Sequence, residues 1–347
     1  MLRPYNDKHM QQVVFIAPGK LEWREVAAPK VQGPREAIVR PIVVGRCDLD
    51  TLYVTGRMPL ASGEPIGHEI IAEVVELGND VQQYSIGQRV IVAAQISCGH
   101  CRRCRLDLTA RCESVPFGAS YGMGRAGNFG GGLADLLRVP YADAMLVPIP
   151  TYVDPTTMIG LADMATDAWR AVGPALLARP HAAVLVLGGA TPVIGVYSAG
   201  MAVSLGASVV DYVDANIQRR ECAIAYGARA LENIEATHER NYEIVVDASG
   251  SATQLLAALK RVAPEAIVTS VAPSVVGPEF PMLELYSKGL TYKVGRPNCR
   301  AGHDGALRAW SSCGFAPEKV RPAIRPFATA CETWVDPAMF VAVSRLM

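Results

Sequence analysis

The chain has 347 residues, half of them hydrophobic and 19% charged, so it can bury a large core and is not a disordered segment. This length favours about two domains. Lysine and arginine number 33, as do aspartate and glutamate, and the resulting net charge of zero argues against electrostatic binding of nucleic acid or an anionic membrane surface.

The sequence also bears on the cellular compartment. The N-terminal stretch MLRPYNDKHMQQ lacks the apolar segment of a signal peptide, and no apolar run approaches the length of a membrane span. We therefore expect a soluble cytoplasmic protein, in which a reducing environment disfavours disulfides. The nine cysteines are also an odd number and cannot all pair within one chain.

Short strands broken by turns are predicted for the N-terminal part of the chain. The segments EAIVRPIVVGRC, HEIIAEVVELG and QRVIVAAQI are β-branched and apolar, and glycine or proline separates them. A run of three glycines, residues 130–132, precedes a further apolar segment. This part of the sequence contains no internal repeat and no low-complexity tract.

Four cysteines are concentrated in the stretch SCGHCRRCRLDLTARC. They are Cys98, Cys101, Cys104 and Cys112. Their spacing is compact enough for one tetrahedral ion to collect four thiolates, and the adjacent arginines supply positive charge that favours thiolates. An iron–sulfur cluster is the alternative, although such runs more often continue Cys-Pro, whereas Glu113 follows here. The stretch therefore predicts a closed, structural zinc site, and the chemistry must lie elsewhere.

The pattern changes near residue 160 to strands that alternate with helices. The segment AAVLVLGGATPVIGVYSAGMAVSLGASVVDYVD reads as a buried strand, a glycine-rich turn, a helix and a second strand. The strands EIVVDAS and EAIVTSVA follow, separated by the helical ATQLLAALKRV. This alternation predicts an α/β domain with a parallel sheet and crossover helices. A helix in GALRAWSSCG and a last strand in PAMFVAVSRLM end the chain, and we expect them to return to the N-terminal domain.

The glycine-rich turn is a candidate dinucleotide site. The predicted cofactor-binding residues of this turn are Gly188, Gly189, Val193, Ile194 and Gly195. Glycines let the backbone approach a pyrophosphate at the helix N-terminus, but this loop is longer than G-x-G-x-x-G, and such glycines also occur for turn geometry alone. Asp214 follows the second strand, 19 residues after Gly195, where a carboxylate can accept hydrogen bonds from the adenosine ribose. It would also repel a 2′-phosphate, so we predict NAD rather than NADP.

Three further residues are candidate ligands of a second metal ion. Cys47 follows an apolar strand, His68 lies in PIGHEIIAEVVELG and Asp163 in GLADMATDAWRAV. Taken singly, they could be a buried thiol, a core histidine and a helix cap. Together, a thiolate, an imidazole and a carboxylate leave one position of a tetrahedral zinc open, as in catalytic zinc sites.

In this combination and order, the motifs resemble the zinc-dependent alcohol dehydrogenases of the medium-chain dehydrogenase/reductase superfamily. The resemblance implies a GroES-like β-barrel catalytic domain with both zinc sites in residues 1–158, a Rossmann NAD-binding domain in residues 159–300 and a C-terminal return in residues 301–347. It also implies interconversion of an alcohol and a carbonyl compound with NAD, two zinc ions per chain, and a homodimer or homotetramer. The alternatives are a zinc-free NADPH-dependent reductase of the same superfamily, or a zinc-ribbon-like binding protein.

The resemblance assigns roles around the catalytic zinc. Cys47 and His68 match two ligand positions, and Asp163 resembles the branch in which an aspartate is the third ligand. Glu69 resembles a carboxylate that either moves onto the zinc or supports it from outside. Asp50 resembles the carboxylate that orients the zinc-binding imidazole.

The resemblance also assigns residues to the cofactor. Arg219 resembles a basic residue beside the adenosine ribose, and Arg345 a cation that serves Asp50 or the pyrophosphate. Val271, Val294 and Arg296 fall in segments that line the nicotinamide.

One departure from the family concerns the proton released by the alcohol. Members usually carry a serine or threonine where this chain has Leu49, and often a histidine where it has Leu52. Neither leucine can pass a proton. We therefore predict another exit, through ordered water or through Asp48 or Thr51, and favour water assisted by Thr51. The alternative is that Leu49 only narrows the substrate pocket and that another step limits the rate.

Overall fold

The computed structural model describes residues 8–124, 126–237, 241–274, 277 and 279–347. Residues 1–7, on which the expected absence of a leader partly rests, lie outside the described residues. The strands are β1 His9–Ala17, β2 Lys20–Ala27, β3 Ala37–Gly45, β4 Glu69–Leu77, β5 Arg89–Val92, β6 Leu137–Val139, β7 Leu146–Pro148, β8 Val184–Leu187, β9 Val210–Val213, β10 Arg229–Leu231, β11 Tyr242–Asp247, β12 Val262–Ser270, β13 Thr291–Val294, β14 Ala323–Pro326 and β15 Val341–Ser344.

The helices are α1 Asp48–Val54, α2 Arg102–Arg105, α3 Ala142–Met145, α4 Met164–Ala178, α5 Pro192–Ser204, α6 Ile217–Tyr226, α7 Ala252–Leu259, α8 Met282–Lys288, α9 Cys299–Cys313 and α10 Ala330–Trp334. Within the described ranges, none of these helices combines the length and the apolar character needed to cross a membrane.

The chain divides into two compact units. One unit comprises residues 1–163, 298–303 and 321–347, and the other comprises residues 164–297 and 304–320. The predicted C-terminal segment 301–347 is therefore not one piece, because residues 304–320 belong to the second unit. The reason is aromatic packing: Phe315 lies edge-on to Tyr197 and stacks on Tyr226 within that unit.

The first unit contains a mostly antiparallel sheet. Its strands follow the order β14-β15-β3-β4-β5-β7, and β6 pairs with β3. Strand β3 is buried along nearly its whole length, which fits its β-branched sequence. Pro41 has no N–H to donate, and the register of β3 against β4 shifts between Pro41 and Val43. The interior includes Val44, Ile70, Val92 and Trp334.

The second unit contains a six-stranded parallel sheet in the order β10-β9-β8-β11-β12-β13. The chain moves outward in one direction through β8, β9 and β10, then crosses to β11 and moves outward in the other direction. Ligands of doubly wound sheets bind beyond the carboxyl ends of the strands at this reversal. The predicted α/β fold class, with a Rossmann-type parallel sheet, is confirmed.

Candidate active site and metal centres

Sheet register brings Cys47 and His68 together. Gly45, the last residue of β3, pairs with Glu69, the first residue of β4. Cys47 therefore leaves β3 beside the point where His68 enters β4. A side chain at position 45 would crowd the Glu69 and Phe340 side chains, whose atoms lie 3.0 and 3.1 Å from the place of a Cβ. Glycine thus permits the close strand pairing that joins the two candidate ligands.

Asp163 completes a buried cluster with Cys47 and His68. One ligand atom from each residue lies within 4.8 Å of the other two. The Cys47 thiol donates to Asp163 Oδ2 at 3.2 Å, and His68 Nε2 lies 3.6 Å from the same oxygen. Among the described residues, neither ring nitrogen of the fully buried His68 has a hydrogen-bond partner. Such a nitrogen is costly unless something binds it. A thiol, an imidazole and a carboxylate around it are the donors that zinc prefers, so the residues fit a zinc ion.

The electrostatics of this cluster also favour a cation. Burial lowers the pKa of His68, but the carboxylates of Asp50, Asp163 and Glu69 outweigh it and raise the pKa to about 9. Burial raises the pKa of Asp50 to about 6 against the opposing effects of His68 and the Cys47 N–H. Burial and the neighbouring carboxylates of Asp163 and Asp48 raise the pKa of the Cys47 thiol. Carboxylates thus outnumber cationic groups in this buried site. A divalent ion bound there would lower the pKa of the Cys47 thiol instead of raising it.

Asp50 serves both its own helix and His68. Its Oδ2 accepts the Cys47 N–H at 3.1 Å, in the manner of the acidic residue of a capping box at the start of α1. Its Oδ1 lies 3.5 Å from His68 Nδ1, so the carboxylate faces the ring nitrogen that points away from Asp163. This is the position from which a carboxylate orients a metal-binding imidazole.

Glu69 contacts the chain segment that carries Asp163. Its two carboxylate oxygens accept backbone N–H groups of Ala162 at 2.5 Å and Asp163 at 3.0 Å. Glu69 does not belong to the described three-ligand group. Of the two roles that the sequence left open for Glu69, this geometry corresponds to support from outside the ligand set.

Thr51 and Leu49 are placed differently around the start of α1. The Thr51 hydroxyl donates back to the Cys47 carbonyl at 3.5 Å, within its own helix. The Leu49 side chain packs against Ala94, Met123 and Cys299, so it is part of an apolar wall.

Sequence reasoning overlooked Cys299. This fully buried cysteine, the first residue of α9, donates its thiol to Asp163 Oδ1 at 2.7 Å. The two residues lie 136 positions apart, and no motif links them. The one available signal was the odd cysteine count.

The four-cysteine cluster is assembled as its spacing predicts. Cys98, Cys101, Cys104 and Cys112 place their sulfur atoms within 4.8 Å of one another, and all four are free of disulfides. Backbone N–H groups and one hydroxyl donate to the sulfurs. These donors are Cys101 N and Ser114 Oγ to Cys98, Cys104 N and Glu113 N to Cys101, and Cys98 N and Ser114 N to Cys112.

These donors lower the pKa of Cys98 and Cys101, whereas burial raises the pKa of Cys104 and Cys112. Burial raises the pKa of Cys101, but the N–H groups of Glu113 and Cys104 lower it to about 6. Arg102, Arg103 and Arg105 are exposed, and Arg103 pairs with Glu113. Four sulfurs with this geometry fit a closed structural zinc site.

The glycine loop joins β8 to α5 and runs against the end of β9. A Cβ at Gly188 would clash with the Asp214 carboxylate and the Tyr212 hydroxyl, and one at Gly189 would lie 2.8 Å from the Ser249 backbone. A Cβ at Gly195 would lie 3.1 Å from Ala248, so this residue sets the packing of α5 on the sheet. Glycines are therefore required here by close packing of the loop against Asp214, Tyr212 and Ser249, just before the N-terminus of α5. Val193 and Ile194 are buried in the first turn of α5.

Asp214 lies immediately after β9 and is held by several donors. Its Oδ2 accepts from the Tyr212 hydroxyl at 3.0 Å and lies 3.4 Å from the Arg219 guanidinium, and its Oδ1 accepts the Asn216 N–H at 2.8 Å. Arg219 also donates to the Gly189 carbonyl at 2.9 Å, which links the loop to the carboxylate. Asp214 and Arg219 are thus brought beside the glycine loop.

Of the four remaining predicted cofactor residues, three lie at the carboxyl edge of the parallel sheet, and Arg345 lies in the other unit. Val271 follows β12, whereas Val294 and Arg296 lie at and beyond the end of β13, at the carboxyl edge that also carries Gly188 and Asp214. Val271 is buried, and Val294 is 73% exposed. Arg345 differs from the prediction: its guanidinium donates to Asp135, Ala134 and Pro41 and lies over the Phe327 ring. These contacts tie the C-terminal residues to the sheet, and Asp50 is not among its partners in the described residues.

Residues 33–151 match the family model of the alcohol dehydrogenase GroES-like domain. The glutathione-independent formaldehyde dehydrogenase of Pseudomonas aeruginosa is 34% identical over 220 residues, or 60% of this chain and 54% of that protein, so this chain spans about half the length of that relative. Zinc-type alcohol dehydrogenase B of Aspergillus flavus is 27% identical over 341 residues, or 91% of this chain and 77% of that protein.

Among solved structures, alcohol dehydrogenase TADH from Thermus sp. ATN1 aligns with a TM-score of 0.85 and 28% identity, over 96% of this chain and 99% of that one. A GroES-like match, zinc-type relatives and a shared fold over nearly the whole chain agree with one another. Residues 33–151 therefore match an alcohol dehydrogenase GroES-like domain, and the chain is similar over more than nine-tenths of its length to a zinc-type alcohol dehydrogenase and to the solved TADH structure.

Proposed function

We propose that this protein is a zinc- and NAD-dependent alcohol dehydrogenase that interconverts a small alcohol and its aldehyde or ketone. The observation that carries the proposal is the convergence of Cys47, His68 and Asp163 in a buried site where both imidazole nitrogens of His68 lack a hydrogen-bond partner among the described residues. Zinc bound there would act as a Lewis acid that lowers the pKa of an alcohol oxygen, and NAD would accept the hydride.

The chain's own residues have separable tasks in this proposal. Cys47, His68 and Asp163 would hold the catalytic zinc, while Asp50 and Glu69 would fix the imidazole and the Asp163 segment. Cys98, Cys101, Cys104 and Cys112 would hold a second, structural ion, giving two zinc ions per chain. Gly188, Gly189 and the start of α5 would receive the pyrophosphate, and Asp214 with Arg219 the adenosine ribose.

The direct test is a panel of primary and secondary alcohols assayed by the absorbance of NADH, with zinc measured on the same preparation. We expect turnover of at least one alcohol with NAD and about two zinc ions per chain. A zinc-free reductase would retain activity with NADPH after mild chelation. Such a result would replace our proposal with the alternative of the same superfamily.

The proposed preference for NAD rests on Asp214. We expect Asp214→Asn to lower the ratio of kcat/KM for NAD to that for NADP by roughly tenfold or more, because repulsion of the 2′-phosphate is lost and each 1.4 kcal/mol corresponds to a tenfold change. Tyr212→Phe is the matched control, since it removes one donor to the carboxylate but keeps the charge. A higher kcat/KM of the unmodified enzyme with NADP would disprove the assignment.

The proposed exit for the alcohol proton is ordered water assisted by Thr51, because Leu49 cannot take part. A positioned relay group contributes about 10²–10⁴-fold in general acid–base catalysis. We expect Leu49→Ser to raise turnover at low pH and to reduce the solvent isotope effect. Leu49→Ala opens the same space without a hydroxyl and should do neither. Identical pH profiles for both variants and the parent would show that proton release does not limit the rate.

We further propose a cytoplasmic homodimer or homotetramer. All nine cysteines are free, which suits a reducing compartment. The outermost strand β13 of the parallel sheet carries the exposed Val294, and the preceding α8 exposes Met282, Leu283 and Tyr286. An edge strand beside apolar side chains is a surface that a second copy can cover.

A further inference from the structure

The carboxylate of Asp163 is held from two sides. Its Oδ2 faces Cys47 and His68, whereas its Oδ1 accepts the Cys299 thiol at 2.7 Å. A carboxylate can turn about its last side-chain bond and exchange its two oxygens. A donor fixed on one oxygen restricts this rotation and leaves the other oxygen directed at the ligand cluster.

Cys299 itself is fixed by the surrounding structure. Its N–H donates to Gln95 Oε1 at 3.1 Å, and its side chain packs against Ala94, Met123 and Leu49. Its side chain is fully buried, and water does not reach it. The Gln95 hydrogen bond and this packing therefore direct the thiol toward Asp163.

The same helix also contacts the backbone that carries Asp163. His303 lies one turn after Cys299 in α9, so both side chains project from one face of that helix. Its Nε2 lies 2.9 Å from the Ala162 carbonyl, while Glu69 accepts the Ala162 and Asp163 N–H groups. The Ala162–Asp163 segment is thus fixed through its backbone by His303 and Glu69 and through its carboxylate by Cys299.

We infer that Cys299 is a positioning residue of the catalytic metal centre, whose thiol holds Asp163 Oδ1 so that Oδ2 meets the ion bound by Cys47 and His68. The inference rests on the proposed catalytic zinc. Cys299 is thus neither a metal ligand nor a residue that only fills the core.

Two substitutions separate a hydrogen-bond donor from a packing residue. Cys299→Ser keeps a donor of similar size, whereas Cys299→Ala keeps an apolar side chain but loses the donor. The readout is the affinity of the zinc ion proposed at Cys47, His68 and Asp163, measured by chelator competition on the full chain with the four-cysteine site filled. We expect Cys299→Ala to weaken this affinity by about 10–100-fold, the usual effect of losing an outer-shell partner, and Cys299→Ser to restore most of it.

A higher zinc affinity of Cys299→Ala than of Cys299→Ser would overturn the inference. A residue that only packs among Ala94, Met123 and Leu49 tolerates alanine better than serine. Cys313→Ser, an exposed substitution at the end of α9, is the matched control and should bind zinc like the parent. Thermal unfolding of each variant shows whether the fold is retained.

Cobalt substitution excludes direct ligation. If Cys299 were a ligand, both variants would lose one thiolate-to-cobalt charge-transfer contribution, as Cys47→Ser should. We expect the Cys299 variants to keep it, and its loss would overturn the positioning role. A parent protein that binds a single zinc would instead refute the proposed function and this inference together, whereas two zinc ions with unchanged affinity in both variants would refute only the inference.

Discussion

His68→Ala is expected to lower turnover about a thousandfold or more while most of the fold is retained. A bound metal stabilises developing negative charge by several kcal/mol, and about 4 kcal/mol corresponds to a thousandfold in rate. Most of the fold should survive because the substitution breaks no hydrogen bond of the imidazole within the described residues, while the ion-pair contacts with Asp50 and Asp163 are lost. Zinc content should fall from about two ions per chain to about one.

His9→Ala, an exposed substitution on β1, is the control for this experiment and should leave both zinc content and turnover unchanged. Circular dichroism and thermal unfolding distinguish loss of the metal from loss of the fold. Near-parental turnover of His68→Ala would rule out the catalytic-zinc assignment.

Cys98→Ser is expected to remove about one zinc ion and to lower Tm by roughly ten degrees or more. Structural zinc contributes folding free energy, because a preformed site does not exist in the unfolded chain. A loss of several kcal/mol corresponds to a shift of this size, at about 2–4 °C per kcal/mol in domains of 150–250 residues. The Cys98 sulfur also accepts the Ser114 hydroxyl and the Cys101 N–H, so the substitution disturbs the whole cluster.

The same measurements on Cys331→Ser provide the control, since that half-buried cysteine lies outside both ligand clusters. Zinc content and Tm both equal to those of the parent would show that Cys98 does not bind a structural ion. Limited proteolysis should locate the loss of order in residues 97–115, because the unliganded stretch has few apolar side chains of its own.

The sequence predicted best those features that depend on local spacing. The alternation after residue 160 predicted the parallel sheet, and the four-cysteine spacing predicted a cluster, because each depends on residues close together in the chain. Glycines 188 and 189 could be recognised for the same reason. Cys47 and His68 were proposed as ligands from their residue types and matched to ligand positions by the family resemblance, but their proximity follows from the pairing of Gly45 with Glu69, which the sequence does not show.

Several contacts between distant parts of the chain were not predicted. Cys299 contacts Asp163 because residues 298–303, which include the start of α9, belong to the first unit. No local sequence pattern predicts this. Arg345 was expected near Asp50 or the pyrophosphate, yet Asp135 and two backbone carbonyls occupy its guanidinium. The surface arginines were expected to stabilise the thiolates, but the sulfurs accept backbone N–H groups instead.

The strand pairing that ends at Gly45 and Glu69 has a consequence for evolution and for protein engineering. The segment between Cys47 and His68 leaves one rigid strand and re-enters its neighbour, so its two ends are fixed by the sheet. Insertions, deletions or exchange within the mostly exposed residues 55–62 need not change the distance between the two metal-binding side chains, whereas residues 63–66 pair with β1 and bury Ile66 in the core. The exposed turn can therefore be diversified while Cys47 and His68 keep their places at the ends of the paired strands.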